Sequence, residues 1–236
     1  MAIQSGPVIL GQTVWPDRIA PQRIVADRIT PIVEMAKEKR VLNIGCCGSD
    51  ALVSTLTVHR RIASAASYIV GIDIYEAGIE KMKSDRENAF VANAETFDLD
   101  DKNFEIVVLG DVIEHVSNPG LVLDNANRRL NDDGIIVVST PTPFSLSLTL
   151  RIIRSGSYDC NNEHVSWFDP VMLTYLLARS EFEPKEVFWT DESNRAAVNF
   201  LQRRRFSFCG TFGIVAKKLK EVGPRKTVQR IQTKLP

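Results

Sequence analysis

The feature that most constrains the fold is a regular alternation of two patterns along the chain. Short runs rich in β-branched residues, such as FEIVVLG and GIIVVST, alternate with segments whose apolar residues recur at helical spacing. Both runs are continuously apolar, which is typical of central strands that helices cover on both faces. The alternation predicts an α/β fold, a doubly wound and mostly parallel seven-stranded sheet flanked by helices.

The predicted elements follow from this alternation. We expect strands at residues 40–44, 68–72, 90–92, 104–109, 134–139, 185–188 and 211–216. We expect helices at residues 51–61, 77–83, 119–130, 170–178 and 195–203. A Pro- and Ser/Thr-rich stretch at 141–149 predicts a loop that leads into a short helix near the substrate.

Three regions are expected along the chain. Residues 1–39 contain four prolines and predict an irregular lead-in with one helix near 24–37, residues 40–218 form the main domain, and residues 219–236 form a basic tail. From Leu201 to Pro236 there are ten Lys and Arg residues and one acid, Glu221, so this end carries +9 and the remainder −9. Such charge asymmetry is compatible with a solvated end or with binding to phosphates.

Composition excludes several classes of protein. With 44% hydrophobic and 25% charged residues, the chain is neither collagenous nor wholly disordered. No apolar run reaches the roughly 20 residues of a membrane span, and no basic region precedes a hydrophobic start. The four cysteines are expected to be free thiols, which suits a reducing compartment. These features predict a cytoplasmic protein without a membrane span.

Polar residues and glycines follow the predicted strands at one edge of the sheet, where open parallel sheets bind ligands. Gly45 and Gly48 lie in a turn after the first strand, Asp73 ends the second, and Asn93 follows the third. A tight turn, a ribose acceptor and an adenine acceptor in this order predict a ligand that contains adenosine. The spacing fits neither the G-x-G-x-x-G dinucleotide pattern nor a P-loop.

The ordered motifs from about residue 40 to residue 218 carry a resemblance. They are VLNIGCCGS, GIDIYEAGIEKMK, FVANAETFDLDDKNFEIVVLGDVIEHV, RRLNDDGIIVVSTPTPFS and HVSWFDPVMLTYLLARSEFE. This series resembles the class I S-adenosylmethionine-dependent methyltransferases, in particular the type 11 and ubiquinone-biosynthesis O-methyltransferases. The resemblance implies a Rossmann-like fold and S-adenosyl-L-methionine as the cofactor.

The resemblance also implies a set of cofactor-binding residues. Gly45, Cys46 and Gly48 would line the methionine and ribose, Asp73 would hold the ribose, and Asn93 with Ala94 would border the adenine. The full implied set is Asn43, Gly45, Cys46, Cys47, Gly48, Asp73, Ile74, Asn93, Ala94, Gly110 and Asp111.

Two residues depart from the pattern of the family. Asn43 stands where the family usually has Asp, which keeps a hydrogen-bonding group but loses a charge. Cys47 replaces the usual middle glycine, so its side chain must point away from the cofactor. We expect Cys47 to be a small buried apolar residue rather than a redox group.

The segment after the fourth strand, GDVIEHV, contains an unusual group of potential ligands. If a helical turn begins at Asp111, then Asp111, Glu114 and His115 share one face. His164 follows in a later loop that could fold over the same pocket. These four residues could bind Mg²⁺ or Mn²⁺, and the pattern resembles that of metal-dependent O-methyltransferases, both the ubiquinone-biosynthesis and the small-RNA 2′-O-methylating enzymes.

Other readings of the same residues remain open. The Glu114–His115 pair could cap a helix or orient a substrate, and His164 could act as a general base. We therefore predict Glu114, His115 and His164 as catalytic residues with or without a metal. His59, which lies between helical residues and next to Arg60 and Arg61, is expected at the surface.

The leading hypothesis for function is methyl transfer to an oxygen of a small-molecule acceptor. RNA 2′-O-methylation is an alternative, motivated by Arg203 to Arg205 and the basic tail. A second alternative is a domain that binds the cofactor without turnover, which Asn43 and Cys47 would allow. The sequence pattern specifies neither the acceptor nor an oligomeric state.

Overall fold

In a computed structural model of the protein, the described residues are 8–10, 13–15, 20–48, 58–156, 161–190 and 209–219. The strands are β1 Val8–Leu10, β2 Thr13–Trp15, β3 Gln22–Val25, β4 Arg40–Ile44, β5 Tyr68–Asp73, β6 Ala89–Val91, β7 Phe104–Gly110, β8 Leu130–Pro141, β9 Phe182–Thr190 and β10 Thr211–Lys218. The helices are α1 Ile29–Ala36, α2 Val58–Ala63, α3 Glu76–Ser84, α4 Pro119–Arg129, α5 Leu146–Ser155 and α6 Pro170–Arg179.

The main sheet has the order β3-β9-β10-β8-β7-β4-β5-β6. The part of the sheet from β8 to β6 is parallel throughout and contains β8, β7, β4, β5 and β6. Strand β10 is antiparallel to both β8 and β9. The predicted α/β, mostly parallel fold is confirmed. The sheet gains an eighth strand because β3, from the lead-in, pairs in parallel with β9 and places Gln22 opposite Val187.

The sheet separates two apolar layers. Along β4, Leu42 and Ile44 pack in the layer that also contains helices α4 and α6, whereas Val41 packs in the layer with α1 and α2. This alternation follows from the period of two along a strand. Asn43 therefore lies on the same face as Val41, toward α2.

The lead-in differs from the prediction of one helix over 24–37. Gln22–Val25 form a strand, and α1 begins only at Ile29. The Asp27 carboxylate accepts hydrogen bonds from the amides of Ile29 and Thr30, both at 2.8 Å, and so caps the start of the helix.

Several predicted elements are confirmed with shifted ends. Strand β8 is longer than the predicted 134–139, and the expected helix after residue 141 is α5, whose first turn Ser145 caps. Helix α2 is described from Val58, so residues 51–57 of the predicted helix, the predicted helix at 195–203 and the tail from residue 220 lie outside the described residues. Within the described ranges, no helix is long and apolar enough to cross a membrane.

Candidate active site

The glycine turn after β4 is built by backbone contacts with β5. The amides of Gly45 and Cys46 both donate to the carbonyl of Ile72, at 2.8 and 3.1 Å. Gly45 has φ +76°, and a Cβ atom there would lie 2.3 Å from Cγ2 of Val112. Glycine is thus required both by the backbone conformation and by the close approach of the segment that follows β7.

Asp73 joins the glycine turn to the end of β5. Its carboxylate accepts hydrogen bonds from the amides of Cys47 at 2.9 Å and Tyr75 at 3.0 Å. Its carbonyl accepts the amide of Ala92 at 2.8 Å, which brings the segment after β6 to the same edge. The predicted ribose acceptor, the glycine turn and the predicted adenine segment are therefore neighbours.

The segment after β6, which the sequence predicts to border the adenine, is a tight turn. The side-chain oxygen of Asn93, the predicted adenine acceptor, accepts the amide of Glu95 at 2.8 Å, while Asn93 itself is exposed and Ala94 is buried. Ile74, which follows Asp73, is 71% exposed at this edge. Gly110, at the end of β7, is half-buried.

Cys46 and Cys47 are both buried, and their sulfur atoms face helix α3. The Sγ atoms lie 3.8 and 3.7 Å from the sulfur of Met82, and a Cβ atom at Gly78 would lie 2.8 Å from Sγ of Cys47. The side chain of Cys47 thus occupies the space beside a helical glycine, in a small apolar cluster. This confirms the prediction of a small buried apolar residue.

The prediction that His59 lies at the surface is wrong. Its side chain is fully buried beneath the glycine turn, and its Nδ1 lies 3.2 Å from Nδ2 of Asn43. The flanking Arg60 and Arg61 suggested exposure, but consecutive helical residues point about 100° apart, so charged neighbours do not place a residue on the outer face. Burial lowers the pKa of His59 to about 4, and the charge of Arg60 contributes to this shift.

The condition for placing Asp111, Glu114 and His115 on one helical face was a helical turn that begins at Asp111, and the structure does not have this turn. Asp111 has φ +53°, in the left-handed region, and its amide still donates to the carbonyl of Ser139 at 3.0 Å. The chain therefore extends its pairing with β8 before it turns at Val112, whose carbonyl accepts the amide of His115. The Asp111 carboxylate forms an ion pair with Arg28, from the loop between β3 and α1.

Glu114, His115 and His164 form one cluster. Each offers a carboxylate oxygen or a ring nitrogen, and the three ligand atoms lie within 4.8 Å of one another. The rings of the two histidines meet edge to face with centroids 4.7 Å apart, and Trp167 contacts His164 in the same manner at 5.6 Å. The sequence predicts a site of four residues, Asp111, Glu114, His115 and His164. The structure brings the last three together, whereas Asp111 is not among the clustered ligand atoms.

The loop that carries His164 is held against this turn by the backbone. The amides of Val165 and Ser166 donate to the carbonyl of Glu114, at 2.9 and 3.2 Å. Nδ1 of His115 lies 3.2 Å from the carbonyl of Glu163. Because a carbonyl only accepts, this Nδ1 carries the proton, and Nε2 of a neutral His115 is left with a lone pair.

Glu114 is 1% exposed, and neither of its carboxylate oxygens has a hydrogen-bond partner among the described residues. Burial, reinforced by the charge of Asp111, raises the pKa of Glu114 to about 7. Burial also lowers the pKa of His164, as does the charge of His115. A carboxyl group whose pKa is near neutrality, beside an unprotonated imidazole, is suited to exchange a proton with a bound hydroxyl.

Further buried polar atoms surround the cluster. Nδ1 of His164, Oγ of Ser166 and Oγ1 of Thr140 have no hydrogen-bond partner within the described part of the chain. The Thr140 hydroxyl lies near the Glu114 carboxyl without the geometry of a hydrogen bond. Buried polar groups normally have partners, so this set points to a ligand or a water that completes the site. Neither Ser166 nor Thr140 was predicted, because isolated hydroxyl residues carry no sequence pattern.

The cluster also fits a divalent ion by its donor set. One carboxylate and two imidazoles supply oxygen and nitrogen ligands, and the unpartnered oxygens of Glu114 are those that an ion would use. Asp111, the predicted fourth ligand, is held by Arg28 in this conformation. The basic residues 203–205, on which the RNA reading depends, lie outside the described residues.

Comparison with known proteins identifies the family. A family model described as a methyltransferase domain matches residues 18–187. The chain belongs to this methyltransferase domain family. The motifs in the sequence and the confirmed Rossmann-like fold agree with this family and support a class I S-adenosylmethionine-dependent methyltransferase.

The chain is similar to a curated relative. It is 29% identical over 123 residues to a ubiquinone biosynthesis O-methyltransferase from Azorhizobium caulinodans, a match that covers 50% of this chain and 46% of that protein. It therefore aligns with about half the length of that relative.

Solved structures share the fold. A SAM-dependent methyltransferase from Archaeoglobus fulgidus has a TM-score of 0.60 at 19% identity, covering 81% of this chain and 91% of the other. The N-methyltransferase NodS from Bradyrhizobium japonicum, in complex with S-adenosyl-L-homocysteine, has a TM-score of 0.55 at 13% identity, covering 81% and 85%.

Proposed function

We propose that this methyltransferase transfers the methyl group of S-adenosylmethionine to an oxygen of a small-molecule acceptor. The observation that carries the proposal is the cluster of Glu114, His115 and His164, in which Glu114 is buried and its carboxylate oxygens have no partner in the described part of the chain. An acceptor hydroxyl must lose a proton when its oxygen is methylated, and this cluster offers acceptors for that proton. The distant similarity to a ubiquinone biosynthesis O-methyltransferase also favours oxygen.

The proposed cofactor site is the set predicted from the motifs, with Gly45, Asp73 and Asn93 at its centre. In support, backbone hydrogen bonds join the glycine turn, Asp73 and the segment after β6, and Val112 packs against Gly45. Val112 lies two residues before Glu114. The cluster of Glu114, His115 and His164, called the acceptor cluster below, therefore begins directly beside the glycine turn. In this arrangement the methyl group would face the cluster.

The roles within the cluster follow from its hydrogen bonds. His115 is oriented by the carbonyl of Glu163, so its Nε2 can accept a proton or a hydrogen bond from the acceptor. We assign the general-base role to His164, because burial lowers its pKa and keeps the ring unprotonated near neutral pH. Glu114 would bind the acceptor hydroxyl. In-line attack on the sulfonium methyl then depends chiefly on alignment and on exclusion of water.

A divalent ion is a second proposal for the same cluster. Glu114, His115 and His164 would hold Mg²⁺ or Mn²⁺, whereas Asp111 is not among the clustered ligand atoms and pairs with Arg28. When bound, such an ion would lower the pKa of an acceptor hydroxyl.

The test is methyl transfer from S-adenosylmethionine labelled in its methyl group to a panel of phenols, catechols and aliphatic alcohols. We expect an O-methyl ether, identified by mass spectrometry, and its loss in Glu114→Gln and His164→Ala. Glu163→Gln is the matched control, since its exposed side chain lies in the same loop and only its backbone contacts His115. Transfer to amines alone, or equal activity in all three variants, would contradict the proposal.

A further inference from the structure

A second buried polar cluster lies beneath the glycine turn, apart from the acceptor cluster. Nδ2 of Asn43 lies 3.2 Å from Nδ1 of His59, and Nε2 of His59 lies 3.9 Å from Oε2 of Glu87. The other carboxylate oxygen of Glu87 accepts a hydrogen bond from Nε of Arg60 at 2.6 Å. Asn43 is 3% exposed and His59 is fully buried, so water does not compete for this contact.

Neighbouring residues leave a space that fits His59. Asn43 faces helix α2 because of the strand period, and Gly71 lies opposite Asn43 on β5. A Cβ atom at residue 71 would lie 2.9 Å from Cε1 of His59, so the imidazole occupies the volume that a side chain there would fill. The ring is thereby fixed against the carboxyl end of β4 and β5.

The chemistry of the pair sets the orientation of both groups. An amide nitrogen only donates, so Nδ1 of His59 must accept and the neutral ring carries its proton on Nε2, on the side of Glu87. Glu87 therefore favours the tautomer that Asn43 requires. With Nδ2 committed to His59, Oδ1 is the atom of Asn43 that is left to accept a hydrogen bond.

We propose that His59 is a positioning residue for the cofactor, which acts through Asn43. It holds the amide so that Oδ1 is directed to the glycine turn, where it accepts a hydrogen bond from the ammonium group of S-adenosylmethionine. This rests on the cofactor site proposed above. Asn43 and His59 are then a matched pair, because an Asp at residue 43 would put a carboxylate against the unprotonated Nδ1.

The experiment is a double-mutant cycle on cofactor binding measured by calorimetry. His59→Leu removes the acceptor and should raise the Kd for S-adenosylmethionine about tenfold, the usual effect of one lost buried hydrogen bond. His59→Asn puts an acceptor at the place of Nδ1 and should restore most of the affinity. In an Asn43→Ala background, His59→Leu should have no further effect.

Ile62→Val is the matched control, because Ile62 is fully buried on the same helix, α2, and packs in the apolar layer that contains α1 and α2. It should lower the stability of the protein without changing the Kd. Additive effects of Asn43→Ala and His59→Leu, or no rescue by His59→Asn, would overturn the proposal.

A nuclear magnetic resonance measurement keeps the proposal falsifiable if His59→Leu fails to fold. The ring nitrogens of His59 should show a neutral Nε2–H tautomer in the wild type and a protonated Nδ1 in Asn43→Asp. A wild-type Nδ1–H tautomer would overturn the proposal even if the cofactor binds. Absence of cofactor binding by the wild type would instead contradict the proposed function and leave the tautomer result intact.

Discussion

The imidazole rings of His115 and His164 meet edge to face, with centroids 4.7 Å apart, although 48 residues separate the two in the chain. The contact depends on the backbone of Glu114, whose carbonyl accepts the amides of Val165 and Ser166. The turn after β7 and the loop before α6 therefore form one unit.

Removal of the proposed base should affect turnover more than cofactor binding. His164→Ala should lower kcat about 100-fold or more, the usual range for loss of a general base. The Kd for S-adenosylmethionine should change little, because His164 belongs to the proposed acceptor cluster and not to the proposed cofactor site. Steady-state kinetics with a cofactor-binding titration checks this, and a large rise in Kd with unchanged kcat would contradict the assigned role.

The contribution of Glu114 to the stability of the protein should fall as the pH rises from about 4.5 to about 7. The pKa of Glu114 is raised to about 7 in the folded state from 4.5, so the folded protein binds more protons in this window. Its contribution is complete below pH 4.5 and is lost as the pH rises through 7. Glu114→Gln removes this dependence.

Compared with the wild type, Glu114→Gln should therefore gain stability between pH 5 and pH 8, by at most about 3 kcal/mol. Denaturant unfolding at the two pH values, in the presence of a chelator, measures the difference. The same pH dependence in both proteins would contradict the raised pKa of Glu114.

Gly45→Ala should destabilise the protein by about 2 kcal/mol or more, since φ +76° disfavours a side chain and the new Cβ would overlap Val112. Gly120→Ala is the matched control, because space is open around a Cβ at that helical position. It should be neutral or stabilise by up to about 1 kcal/mol. Thermal unfolding of both variants compares them, and equal effects would exclude a special role for the close approach at Gly45.

A metal at the cluster should be visible directly. If Mn²⁺ binds there, paramagnetic broadening should affect the His115 and His164 ring signals, and Glu114→Gln should weaken Mn²⁺ binding at least tenfold. Glu163→Gln should bind Mn²⁺ like the wild type. Full activity after removal of divalent ions, with no broadening, would exclude the metal. Proton transfer to the side chains of the cluster would then be the remaining proposal.

The sequence predicted the sheet and the Glu114–His115 part of the acceptor cluster because local patterns determine both. Continuous apolar runs identified β7 and β8, and the spacing of Glu114 and His115 placed them after a strand. Strand β3 was missed because it is four residues long, lies among prolines, and gains its partner, β9, from more than 160 residues away.

The remaining errors involve relations between distant segments. Asp111 has a left-handed backbone because β7 extends its pairing with β8 to Ser139, and its carboxylate faces Arg28 from the lead-in. His59 is buried because Asn43 and Gly71 form a space for it on the sheet. None of these partners is adjacent in sequence.

The most direct test is a calorimetric titration with S-adenosylmethionine, comparing the wild type with Asp73→Asn and with Asp132→Asn, a change at an exposed position away from the site. We predict one binding site in the wild type, at least tenfold weaker binding in Asp73→Asn, and unchanged binding in Asp132→Asn. A folded wild-type protein that does not bind the cofactor, or an Asp73→Asn variant with wild-type affinity, would contradict the account.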